Sequence, residues 1–200
     1  MGRTRCELRG RVAVVKLERR ILRDPPEPPS PVRGRLRAEA FVGAGVEVVR
    51  VLGRRSADEA ARDGLGPQTF AAWLEGGPCV SGRSLVLPWA RLRDGYGEDL
   101  PDGRALAVRQ AGLWHFALSV GGEERWAIRP SLPNTVLVRR LVDGRVLMRS
   151  GAIRPSIDLA TEDLSPDEWL VVLFVLGSGL IRRARRGGTI SQANLPRWVG

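Results

Sequence analysis

This chain of 200 residues contains one histidine, one lysine and two cysteines. With His115 alone, schemes that need a histidine pair or a His-rich metal site are excluded, and a lone strand histidine lacks the neighbouring nucleophile or carboxylate that a catalytic base requires. Cys6 and Cys79 stand in unrelated contexts without metal-ligand spacing, which fits a reducing compartment. There is no Walker loop, nucleophile elbow or cysteine pair. The basic N-terminus has no long apolar stretch, since Val12, Ala13, Val14 and Val15 are followed by Lys16 and Glu18, so no secretory signal is expected. Met1-Gly-Arg-Thr-Arg-Cys6 misses the myristoylation pattern because Cys stands where Ser or Thr belongs. The expected address is the cytoplasm, with peripheral attachment at a membrane open to it. No catalytic set, metal or cofactor is expected.

Long apolar runs are also scarce. The one exception, residues 169–181, is entered by Ser165-Pro166-Asp167-Glu168 and left through a basic cluster, Arg182 to Arg186. A helix that is oily on every face must be wrapped by protein or by lipid. Thirteen residues reach roughly 20 Å, short of the ~30 Å of a bilayer core, so a buried helix is expected and no transmembrane span. Ser165 and Glu168 form a capping box with Pro166 in the first turn, and the acids suit the positive helix end. The helix is expected over residues 166–184, with Arg182 to Arg186 complementing its C-terminal end. Gly177 and Gly179, costly inside a helix, point to a close backbone approach.

What is abundant is arginine and short alternating segments. The net charge is +10 and the pI about 11.3, which favours polyanionic partners. Lys16 is the only lysine, and the bias to Arg, Ala, Gly, Val and Leu is that of a GC-rich, bacterial-like genome, so much of the basic excess is compositional. Hydrophobic residues make up 43% and charged residues 27%, enough for the core of a single domain.

Along the chain, residues 1–24 form a basic N-terminal segment, within which residues 8–22 leave strand and helix both open. Residues 25–32 are a Pro-rich linker, a polyproline-type spacer or PxxP ligand. The main fold is expected over residues 33–186. Leu36, Ala38, Ala40 and Val42 face one way and Arg35, Arg37, Glu39 and Phe41 the other, with Gly43-Ala44-Gly45 turning into a partner strand at residues 46–52. A helical insertion is expected from Ser56-Ala57-Asp58-Glu59, with a second helix after Pro67 carrying Phe70, Trp73 and Leu74. Strands are then expected near residues 84–87, 89–93, 104–109, 114–120, 124–128, 135–142, 145–149 and 156–160. Asp143-Gly144 gives the sharpest hairpin signal, with Val142 and Arg145 flanking it. Strands without intervening helices indicate an antiparallel, mainly β fold. Residues 187–200 form a C-terminal tail.

The last strand, Pro155-Ser156-Ile157-Asp158-Leu159-Ala160, the acidic turn Thr161-Glu162-Asp163-Leu164 and the apolar run from Trp169 resemble the end of a tubby-like barrel. The likeness is to the LURP-one-related and phospholipid-scramblase branch. Trp126, the strand at residues 136–141 and Asp143-Gly144-Arg145-Val146 are similar to the family's strand, Gly-Arg turn and next strand. The resemblance covers roughly residues 33–185. It implies a closed antiparallel β-barrel around a buried C-terminal helix, and a non-enzymatic role in binding or tethering at membranes. The calcium-binding and palmitoylated-cysteine features of scramblases have no match here, so scramblase activity is not implied.

The candidate anion-binding residues are Arg125, Arg129, Arg139, Arg140, Arg145, Arg149 and Arg154, which recur on or near the late strands. Converging on one face, they would meet phosphates of anionic lipid headgroups or another polyanion; spread out, they are a solvated exterior. The alternative function is sequence-independent nucleic-acid binding through the same arginines, although no RRM, KH or helix-turn-helix pattern is present. A single-pass membrane protein built on residues 169–181, and an enzyme using Asp158, Glu162 and Asp163, are the remaining readings. Acids before a helix are already explained by capping.

Overall fold

Exposure alternates with the two-residue period of a half-covered sheet along residues 14–20 and 105–109, while residues 38–41, 48–51 and 116–120 are buried in continuous runs. A computed structural model describes residues 14–56, 58, 68–83, 96–112, 115–131, 135–150, 157–160 and 164–179. Their strands are β1 (Val14–Leu22), β2 (Arg35–Gly43), β3 (Val46–Arg54), β4 (Gln68–Leu74), β5 (Cys79–Arg83), β6 (Tyr96–Asp99), β7 (Ala105–Gln110), β8 (Phe116–Val120), β9 (Glu123–Ser131), β10 (Thr135–Arg140), β11 (Val146–Ser150) and β12 (Ile157–Ala160). All pair antiparallel in one sheet of order β5-β4-β3-β2-β1-β12-β11-β10-β9-β8-β7-β6, which curls into a nearly closed barrel. Its two end strands approach through side chains. The Arg83 amide on β5 donates to the Tyr96 hydroxyl (3.1 Å) and to Glu98 Oε1 (2.9 Å) on β6.

The mainly β, antiparallel expectation holds, and local expectations are corrected at several places. The open choice over residues 8–22 resolves to a strand across its described part, and β1 lies inside the sheet between β2 and β12. The sheet therefore begins upstream of residue 33, where the sequence placed its start. The Pro-rich segment connects two adjacent strands: the Arg33 amide donates to Thr69 Oγ1 (3.3 Å), and Ser30 Oγ lies 3.9 Å from Cys79 Sγ. The helix expected after Pro67 is instead β4. Phe70, Ala72 and Leu74 face the core cluster at strand spacing, and pairing with β3 on one side and β5 on the other outweighs the local helical pattern. Strands β5 and β6 were not expected. The helix expected from Ser56 and the strands near residues 84–87 and 89–93 lie outside the described residues, apart from Ser56 and Asp58.

Helix α1 (Pro166–Ser178) follows β12. Its capping box forms as the sequence predicts: the Glu168 amide donates to Ser165 Oγ (3.3 Å) and the Ser165 amide to Glu168 Oε2 (2.9 Å). Residues 171–176 are at most 1% exposed, and the helix packs against β3, β4, β5 and β11. Protein therefore covers the oily rod, and no helix among the described residues is long and apolar enough to cross a membrane. The helix stops earlier than residue 184, because Gly179 adopts a left-handed conformation (φ 75°) and ends it at Ser178. Arg182 to Arg186 lie outside the described residues.

Candidate anion-binding surface

The arginines singled out by the sequence divide according to pairing. On the outer face of β9 to β11, register places Arg129 and Arg149 on either side of Leu137, and Arg139 two residues further along β10. All three are exposed, and none meets a carboxylate in an ion pair among the described residues. The same lateral row continues from Arg149 to Asp158 on β12 and Lys16 on β1. Asp158 thus faces a cation on each side, and this stretch of wall keeps a positive excess.

The other candidates are engaged. Arg125 is the extra residue of a bulge, because Leu118 pairs with Trp126 while Ser119 pairs with Glu124, and its guanidinium meets Glu123. Arg140 grips Asp143 with two bonds, Nε to Oδ1 (3.0 Å) and Nη2 to Oδ2 (2.6 Å), and reaches Glu168 Oε1 on the helix (3.3 Å). The Arg145 amide donates to Asp143 Oδ1 (3.0 Å). The Arg140 bonds and the Arg145 amide hold the Asp143 carboxyl at about 2. Arg154 lies outside the described residues. The surface that comes together is therefore Arg129, Arg139 and Arg149, a subset of the set expected.

The loop beside this surface also differs from expectation. The strand forecast for residues 135–142 ends at Arg140, and residues 141–145 form a five-residue connection to β11. The Arg140 amide donates to the Arg145 carbonyl (2.9 Å) and the Gly144 amide to the Arg140 carbonyl (3.0 Å), with Gly144 at φ 70°. The Leu141 amide donates to the carbonyl of the bulged Arg125 (2.7 Å). Leu141 and Val142 consequently point away from the barrel, 47% and 87% exposed.

No family model, curated protein or solved structure matches this chain. Its chemistry must be read from the geometry alone.

A second polar group was missed by the sequence reading. Glu39 is wholly buried on the core-facing side of β2, opposite Arg50 on β3. Arg50 Nη2 donates to Glu39 Oε2, Arg50 Nη1 to the Leu176 carbonyl of α1 (2.5 Å), and its guanidinium lies 5.2 Å from the Phe41 ring centroid. Arg19 Nη2 donates to Glu39 Oε1, which Arg37 also approaches at 3.3 Å. Burial alone would raise the Glu39 carboxyl, but the bonds from Arg19 and Arg50 and their charges hold it below its ordinary value. Arg50 thus supplies a positive charge at the helix C-terminus. The available signal was alternation, which set Glu39 on the face of Phe41.

His115 is exposed, and its backbone closes a turn with Gly112 before β8 begins. Among the described residues, no group of three His, Cys, Asp or Glu side chains is placed to hold a metal.

Proposed function

We propose that this chain is a non-enzymatic binding module of the tubby-like type that engages anionic lipid headgroups through the outer wall of β9, β10 and β11. The observation that carries the reading is the trio Arg129, Arg139 and Arg149: exposed, without an ion pair among the described residues, and gathered on three adjacent strands. Guanidinium groups so placed can each fork to phosphate oxygens. The tubby-like part rests on chain order, with antiparallel strands followed by an acidic turn and a buried apolar helix. In this reading the helix runs through the barrel, between the wall of β3, β4 and β5 and the wall at β11. The module sits in the cytoplasm and binds the membrane peripherally.

The test is co-sedimentation with neutral vesicles and with vesicles containing phosphatidylserine at ~0.15 M salt, where screening is already strong. The wild-type chain is expected to prefer the anionic vesicles, and R129Q/R139Q/R149Q to lose about tenfold in that affinity, each charge counting roughly 1 kcal/mol only within a screening length of the surface. Equal partition of the wild type between the two vesicles would overturn the proposal. Tighter binding to duplex DNA, with a steep negative salt slope, would reassign the arginines to nucleic acid.

A further inference from the structure

The β10 to β11 loop presents two large apolar side chains to solvent where its turn chemistry requires none. Asp143 and Gly144 satisfy the turn: Asp143 through the Arg145 amide, Gly144 through its positive φ. Leu141 and Val142 could be polar without cost to that geometry, yet they are 47% and 87% exposed. Single exposed apolar residues need no explanation, but two consecutive ones at a protruding tip beside unpaired arginines form a distinct surface.

The tip is also held in place. Arg140 clamps Asp143 and ties the loop to Glu168 at the start of α1, while the Arg125 carbonyl anchors the Leu141 amide. Side chains on a clamped loop lose little conformational freedom on binding, which favours contact. Asp143 is neutralised by Arg140, and the nearby Glu123 and Glu124 are paired with Arg125 and Arg109, so these acids meet a membrane already compensated.

The geometry points to an insertion wedge: Leu141 and Val142 enter the boundary between headgroups and acyl chains of an anionic bilayer while Arg139 meets the phosphates. Spacing supports the division of labour. At about 3.3 Å per strand residue, Arg139 lies roughly 7 Å behind Leu141, comparable to the thickness of one headgroup layer. Arg129 and Arg149, flanking Leu137, lie roughly 13 Å behind it, beyond the ~8 Å screening length at ~0.15 M salt, so Arg139 contributes most of the attraction in this pose. This inference rests on the lipid reading above and adds the part of the fold that enters the membrane.

The experiment places an environment-sensitive fluorophore on V142C in the full chain carrying C6S and C79S, with A111C as a control. Ala111 is exposed in the turn between β7 and β8, at the opposite end of the barrel. With phosphatidylserine vesicles, the label at 142 is expected to shift to the blue and be quenched by lipids spin-labelled near the headgroup, and the label at 111 to do neither. In unlabelled protein, L141S/V142S is expected to weaken binding about tenfold or more through lost apolar contact while leaving thermal unfolding unchanged. Binding to anionic vesicles with a water-like label at 142 and an unaffected L141S/V142S variant would overturn the wedge and leave the arginine reading standing. Absence of anionic preference in the wild type would remove both.

Discussion

The edge of the Phe70 ring occupies the space that a side chain at position 177 would need. A Cβ built on Gly177 overlaps the Phe70 ring, and Phe174 meets the same ring edge-on at a centroid distance of 6.0 Å. Phe70 is a core-facing residue of β4, so this contact fixes how closely α1 approaches that wall.

Gly177→Ala should therefore destabilise the chain, although alanine is the better helix former. Overpacking of a closed core costs about 1–3 kcal/mol, more than the ~1 kcal/mol of helix propensity gained. Urea unfolding of G177A, F70L and the double variant checks this. The expected outcome is that F70L absorbs much of the G177A penalty, as coupled neighbours do.

Glu39→Gln should be among the most damaging single substitutions. It removes the carboxylate that Arg50, with a side chain 8% exposed, pairs with across β2 and β3, and breaking one partner of a buried pair costs about 3–5 kcal/mol. Replacing both Glu39 and Arg50 by apolar residues is expected to cost less than Glu39→Gln alone, which a double-mutant cycle reads directly. Because the Glu39 carboxyl lies below its ordinary value of 4.5, its contribution is complete above that pH. The contribution is lost as pH falls through the depressed value.

Glu98 behaves in the opposite sense. Burial raises its carboxyl above the ordinary 4.5, against the bond from the Arg83 amide and the Arg83 charge. The folded state then holds the proton more tightly than the unfolded chain, so this group costs stability at neutral pH and the cost fades on acidification toward 4.5. Glu98→Gln keeps an acceptor for Arg83 without the charge. It should raise the melting temperature at pH 7, and the difference from wild type should shrink as pH is lowered toward 4.5 in calorimetry.

Arg140→Gln should loosen two places at once. Asp143 loses both of its guanidinium bonds, and Glu168, 2% exposed, loses the cation bonded to its Oε1. A loss of about 1–3 kcal/mol is expected, the range for an unsatisfied buried polar group. Hydrogen exchange should quicken at the Gly144 and Arg145 amides and at the first turn of α1. Unchanged protection at either place would show that the clamp does not hold it.

Legibility in the sequence followed the range of the interactions. The hairpin at residues 43–45, the Ser165 and Glu168 capping box and the late strands are encoded by residues a few positions apart, and they appear as expected apart from the end of the strand forecast for residues 135–142. Phe70, Trp73 and Leu74 fit a helix locally and became a strand because β3 and β5 pair with it on both sides. Arg125, Arg140 and Arg145 could not be told from Arg129, Arg139 and Arg149 by type or spacing. What separates them is the carboxylate or turn that the fold brings to each.

The sequence by itself determined that the chain is mainly β, that an apolar rod too short for a bilayer closes it, and where that rod begins. Alternation, length and capping are local properties, and they survive any arrangement of the remainder. Only the tertiary structure decided that β1 completes the sheet ahead of the prolines, that Gly177 yields space to Phe70, that Arg50 meets the helix end, and which of the described late-strand arginines form no ion pair. Each of these depends on contacts between residues far apart in the chain, whose pairing is set by the closure of the barrel and not by any neighbouring residue.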